Sequence, residues 1–260
     1  MDIPKELKGG ELFKFLKENK EDIFYSKKSI LKEATAIHVS PIVSGKTNAE
    51  YSNKGEYSEE EGVIKRRLII NTTNVMDSHK DVHYDGIWTK SLLENTRIKL
   101  YHAHRQTFKD VIADKGDLEV SSNMVSWKSL GFDFEGKTDA LTFDATIRRS
   151  RNPEMFKEYE QGNVDEHSVG MRYIKMALAI NSEDEQYLEE KKEWDNNIAK
   201  IVNREEVEKQ NYFFGISEAK AIEGSAVPAA SNPFTPTQVP KQKEQKTEVK
   251  KTGIDLFLES

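Results

Sequence analysis

Ala140-Leu-Thr-Phe-Asp-Ala-Thr-Ile147 alternates apolar with polar or small side chains, the period-two pattern of a strand with one face buried and the other wet. Two shorter segments of the same kind, Asp117–Val120 and Met124–Trp127, precede it across turns rich in Gly and Asp. Further upstream, Val63–Asn71 is β-branched and bounded by turn formers, as a strand should be. Neighbours of this sort predict a small, mostly antiparallel curled sheet or barrel. Helices flank it, so the fold class is α+β. Ile87–Leu93 reads as a helix, and Asn152 before Pro153 caps another that Gly162 ends. Val169–Ile180 reads as a strand, 183–210 as an inserted helix on the surface, and Asn211–Ile216 with Ala219–Val227 as a final hairpin.

With 36% hydrophobic and 32% charged side chains among 260 residues, the chain carries too few apolar groups to build a core along its whole length. The expectation is one domain with arms. Residues 1–33 form an N-terminal helical arm, 34–232 the folded domain with its core starting near Val63, and 233–260 a flexible tail. Leu12, Phe15, Leu16, Ile23 and Phe24 have amphipathic spacings; a docking arm and an ordinary helix packed on the core both fit them. Ala36–Val39 reads as a short strand and 44–62 as a long polar loop. The tail opens Pro233-Phe-Thr-Pro, continues in lysine, glutamine and glutamate, and regains apolar character only at its end. That is a linker composition.

The net charge of −6 comes from 39 basic and 45 acidic residues, well mixed. No long block is basic enough to neutralise phosphates, so direct nucleic-acid binding is not expected. There is no cysteine, which removes disulfides, thiolate metal sites and cysteine nucleophiles together. No run approaches the ~20 apolar residues of a membrane span, and the first residues lack a secretory h-region. A soluble cytoplasmic protein is expected, with no membrane partner.

Chemistry can come from few places. Asp77-Ser-His-Lys-Asp-Val-His-Tyr-Asp85 puts acids and histidines at alternate positions, which could face one way on an extended chain. A calcium loop counted from Asp81 would need a carboxylate where Leu92 stands, and no cysteine or helical His pair supports zinc. A structural turn is the expected reading, with no metal and no cofactor. Ile98–Arg105 reads as a strand that sends His102 and His104 to one face. In Gln161-Gly-Asn-Val-Asp-Glu-His-Ser-Val-Gly-Met171, Ser168 becomes a nucleophile only if a base and a group orienting that base reach it. Glu223 sits among small and apolar neighbours in Ile222-Glu-Gly-Ser-Ala-Val227, where an ionised carboxylate needs a partner. The order His104, Ser168, Glu223 excludes an α/β-hydrolase, as does Glu166 in place of the first glycine of Gly-x-Ser-x-Gly.

Four places together resemble the prohead (capsid maturation) proteases of tailed phages, which share a fold with the herpesvirus assemblins. They are Asp77–Asp81 with Asp85-Gly86, the Lys99-Leu100 strand ending at His104, Gly162 to Gly170 with Ser168-Val-Gly170, and Ile222–Val227 before Ala230-Ser-Asn-Pro233. The resemblance spans roughly 63–232. It implies a serine endopeptidase with Ser168 as nucleophile, His104 as general base and Glu223 as the orienting acid. His102 stands as the alternative third member, and Arg148 and Arg149 are candidates for an oxyanion site. The implied role is cleavage of scaffold and major capsid proteins, and of itself, inside the procapsid in the host cytoplasm, with self-association as a dimer. Leu16-Lys-Glu18 and Leu31-Lys-Glu33 match a Leu-x-Glu cleavage pattern of some relatives. The chain departs from the family at Arg105 and at Val111-Ile-Ala113, where an aspartate and a Pro-Ile-Gly turn are usual. The alternative implied by those departures is a catalytically inactive relative acting as a scaffold or structural assembly protein.

Overall fold

The computed structural model describes residues 3–29, 62–95 and 97–238. The first helices are α1 (Gly9–Glu18) and α2 (Lys20–Ser29). The chain then runs through β1 (Val63–Thr72), β2 (Asp81–His83), α3 (Thr89–Glu94), β3 (Leu100–His102) and β4 (Val111–Ala113). Next come β5 (Leu118–Ser126), β6 (Lys137–Arg148), α4 (Pro153–Gln161) and β7 (His167–Ile180). Last are α5 (Leu188–Asn197), α6 (Arg204–Gln210), β8 (Tyr212–Ala226) and β9 (Thr237–Gln238).

The fold is α+β. The strands form two sheets and do not close into a barrel. One sheet is antiparallel in the order β5-β6-β1-β9. Leu141, Phe143 and Ile147 of β6 are fully buried, while Asp144 reaches outward to Arg67, as the alternation requires. The second sheet is built on β8. Strand β7 pairs with it antiparallel along its length, and β2 and β3 pair parallel along its other edge, at Phe214–Ile216 and Gly224–Ala226. The expected final hairpin is thus a single 15-residue strand. Ser217-Glu218 carries no glycine, proline or asparagine to reverse it, and bulges near Gly170 and Lys175 curl the β7–β8 ribbon instead. Helix α4 begins and ends as its sequence dictates. Asn152 Oδ1 accepts from Met155 N, Pro153 fills the first turn, and Gly162 closes with φ +74°.

Two expectations change, and one alternative is decided, because apolar side chains hidden in polar stretches find the core. The 183–210 segment is two helices separated by a short turn, not one surface helix. Its Trp194, Ile198, Ile201 and Val207 bury against Met76, Val82, Ala179 and Phe213. Of the two readings of the N-terminal helices, α1 and α2 take the packed one: Leu16, Ile23 and Phe24 are buried, Lys17 and Lys20 pair with the buried Glu190, and Lys27 pairs with Asp81. Residues 233–238 belong to the folded body. Phe234 meets Trp127, Phe132 and Phe134 edge-on at centroid distances of 5.7, 5.0 and 5.3 Å, and β9 pairs with Arg67 and Leu68. The expected strand at Ala36–Val39, the loop to residue 61 and the tail from 239 lie outside the described residues. No helix among the described residues is long and apolar enough to cross a membrane.

Candidate active site

Three adjacent strands assemble the site. Antiparallel pairing sets Ser168 directly opposite Ser225, and Gly170 opposite Glu223. Directly opposed residues of an antiparallel pair share a face, so Ser168, Ser225 and Glu223 lie on one side of the ribbon. The parallel strand β3 brings His104 to the same place. It pairs with β8 as far as His102–Ala226, and Ala103 N–H donates to Ala226 O at 2.9 Å.

At that point the strand stops. Ala103 and His104 both adopt left-handed backbone, with φ of +50° and +58°, a conformation that costs a non-glycine residue free energy. The continuation of the strand to Arg105 expected from sequence does not occur. The kink separates the two histidines, which simple alternation would have placed on one face. His102 accepts from Arg105 Nη2 at 2.7 Å through Nδ1. His104 turns inward, where its Nδ1 lies 2.6 Å from Glu223 Oε1. Of the two, His104 is therefore the one that engages the acid.

An ionised carboxylate oxygen can only accept, so the short contact places the proton on Nδ1. In the neutral ring Nε2 is then a bare lone pair. That atom is shielded from solvent and makes no hydrogen bond among the described residues. Glu223, 1% exposed, has its second oxygen held by Ser225 Oγ–H at 2.7 Å. Ser225 Oγ in turn accepts from His104 N–H at 3.1 Å. Glycine at 170 is what makes room for this carboxylate, since a Cβ there would stand 2.1 Å from Glu223 Oε1.

The two facing serines are used differently. Ser225 is fully buried and has both its donor and an acceptor site engaged. The Ser168 hydroxyl has no hydrogen-bond partner among the described residues, His104 included, and Ser168 lines a small cleft of mixed polar and apolar side chains with Asn71, His83, Val169, Met171 and Asn232. Its neighbour His167 anchors the start of β7. Nδ1 donates to Thr235 O at 3.2 Å, and Nε2 accepts from the Tyr159 hydroxyl at 3.0 Å. Burial pushes this imidazole down to about 4, which keeps it neutral. Thr235 Oγ1 completes the anchor by donating to His167 O at 2.7 Å.

The remaining sequence candidates have other partners. Arg148 pairs with Asp117 and Arg149 with Glu160. In the Asp/His run, Asp77 Oδ1 caps the amides of His79 and Asp81, and His83 contacts Asn71 and Tyr173 through its two ring nitrogens. Asp81 accepts from Tyr173 and Lys27, and Asp85 from Thr73 and Asn74. The run is a structural turn leading into β2. Arg105 pairs with Asp110. Two contributors escaped the sequence reading. Ser225 stands two residues from Glu223 on the same strand face, a period-two relation open to inspection. The role of His167 depends on Tyr159 and Thr235, which no local pattern links to it.

No family model, no curated protein and no solved structure matches this chain.

Proposed function

We propose that the chain is a serine endopeptidase of the phage capsid maturation type. The observation that carries the reading is the buried His104–Glu223 pair, which holds an imidazole whose Nε2 has no partner among the described residues, across strand β8 from the likewise unpartnered hydroxyl of Ser168. In this reading Ser168 Oγ–H gives its proton to Nε2 as Oγ attacks a peptide carbonyl. Glu223 steadies the imidazolium that forms, and the same proton passes to the leaving amine. Contacts between serine and base often close only when substrate binds.

Scaffold and major capsid proteins are the proposed substrates, together with segments of the chain itself. Of the two Leu-x-Glu stretches, Leu16-Lys-Glu18 lies within α1 with Leu16 fully buried, so cutting there requires the helix to unfold. Leu31-Lys-Glu33 lies outside the described residues. The test is co-expression with scaffold protein, comparing wild type with Ser168→Ala by mass spectrometry. Loss of scaffold processing in the variant supports the reading, and equal processing overturns it. Absence of processing in both, with no fluorophosphonate adduct on concentrated wild-type protein, favours the inactive assembly protein.

A further inference from the structure

We infer that Ser225 is a positioning residue for the site, and that the functional unit is a four-membered chain running Ser225, Glu223, His104, Ser168. The inference rests on the proposed reading of Ser168 and His104, and concerns what sets the base in place. Glu223 is buried on a strand and offers two oxygens. One takes the His104 Nδ1 proton, and without a donor the other would be a buried charge with no partner, a state proteins avoid. Ser225 supplies that donor at 2.7 Å.

The same oxygen atom of Ser225 acts a second time. By accepting the His104 amide at 3.1 Å, it fixes the backbone of a residue held at φ +58°. One hydroxyl thus orients the carboxylate and stabilises the kink that aims the imidazole. Both contacts require the hydroxyl to stay where it is, and the pairing of β7, β8 and β3 around it leaves it no exposed surface. Ser225 does not line the cleft beside Ser168; it faces Ser168 across the ribbon, so paired Thr and Val variants, alike in bulk there, isolate what its hydroxyl does through His104 and Glu223.

The test uses the full chain with four variants: Ser225→Ala, Ser225→Thr, Ser225→Val and Ser168→Ala. Thr and Val have the same shape, so that pair changes only the hydroxyl. The first readout is the rate of fluorophosphonate labelling at Ser168 as a function of pH. The second is the far-downfield proton resonance of an imidazole Nδ1–H held by a carboxylate, which reads the His104–Glu223 bond without requiring activity. Ser225→Ala and Ser225→Val are expected to label about tenfold or more slowly, the effect of losing a hydrogen bond to a charged group. The acid limb of their profiles should move to higher pH and the downfield resonance should weaken or vanish, while Ser225→Thr recovers both. Wild-type rate, profile and resonance in Ser225→Ala would overturn the inference and leave the Ser168 reading standing. If wild type carries no adduct, that reading fails, whereas the resonance in wild type, Thr and Val still decides whether Ser225 positions the imidazole.

Discussion

Replacing Gly170 with alanine should disable the site from the strand facing Glu223. The new methyl would stand 2.1 Å from Glu223 Oε1, 2.8 Å from Cδ and 2.9 Å from Cγ. All three distances are shorter than side-chain carbons tolerate, so swinging the carboxylate tip aside does not relieve the clash. Opening the contact only to 3.0 Å moves Oε1 by 0.9 Å. That atom anchors His104 through a 2.6 Å bond, and misplacement by about 1 Å costs roughly 10²-fold in rate. Overpacking of this kind costs about 1–3 kcal/mol of stability, which leaves the protein folded. The assay is fluorophosphonate labelling at Ser168 beside urea unfolding, with Gly10→Ala as control because a Cβ at that helical position meets nothing within 4 Å. The control should label normally and gain up to about 1 kcal/mol. If Gly170→Ala labels at the wild-type rate, Glu223 does not position the base.

Three further outcomes follow from the packing. Because burial lowers His167 to about 4 from 6.5, the unfolded chain binds the proton first. Stability is then complete above pH 6.5 and falls as pH drops toward 4, by on the order of 3 kcal/mol; urea unfolding across that range should show the slope, and His167→Gln should flatten it. Lys27→Met removes the cation that pairs with the buried Asp81 and should destabilise by up to about 3–5 kcal/mol, with partial recovery on adding Asp81→Asn. Phe234→Ala removes a ring packed on Trp127 and should cost about 3–5 kcal/mol by thermal or urea unfolding. A neutral result there would mean that residues 233–238 hang free.

The strands of both sheets were legible where side chains alternate cleanly, as in β6, and where caps are explicit, as at Asn152 and Gly162. Ser168, His104 and Glu223 were named as a set through the resemblance; on its own, Glu223 stood out as an isolated acid in an apolar stretch that needs a partner. Which histidine meets the acid was not legible. Alternation is a rule for unbroken strands, and the left-handed pair at Ala103 and His104 breaks it through a tertiary contact with Ser225. The polar segments misled for a common reason. Trp194, Val207 and Phe234 are single apolar residues among many charged or proline-rich neighbours, and composition averages them away although each finds a core cluster. The turn at Asp77–Asp85 was readable as structural, but its partners Lys27, Asn71 and Tyr173 lie far off in the chain.

An imidazole set by Glu223 is proposed to activate the hydroxyl of Ser168. Intact-protein and peptide mass spectrometry after fluorophosphonate treatment at high protein concentration tests it directly. One adduct is expected, on the peptide carrying Ser168, absent in Ser168→Ala and formed about 10³-fold or more slowly in His104→Ala. An adduct that persists in Ser168→Ala, or one whose rate does not depend on His104, would contradict it.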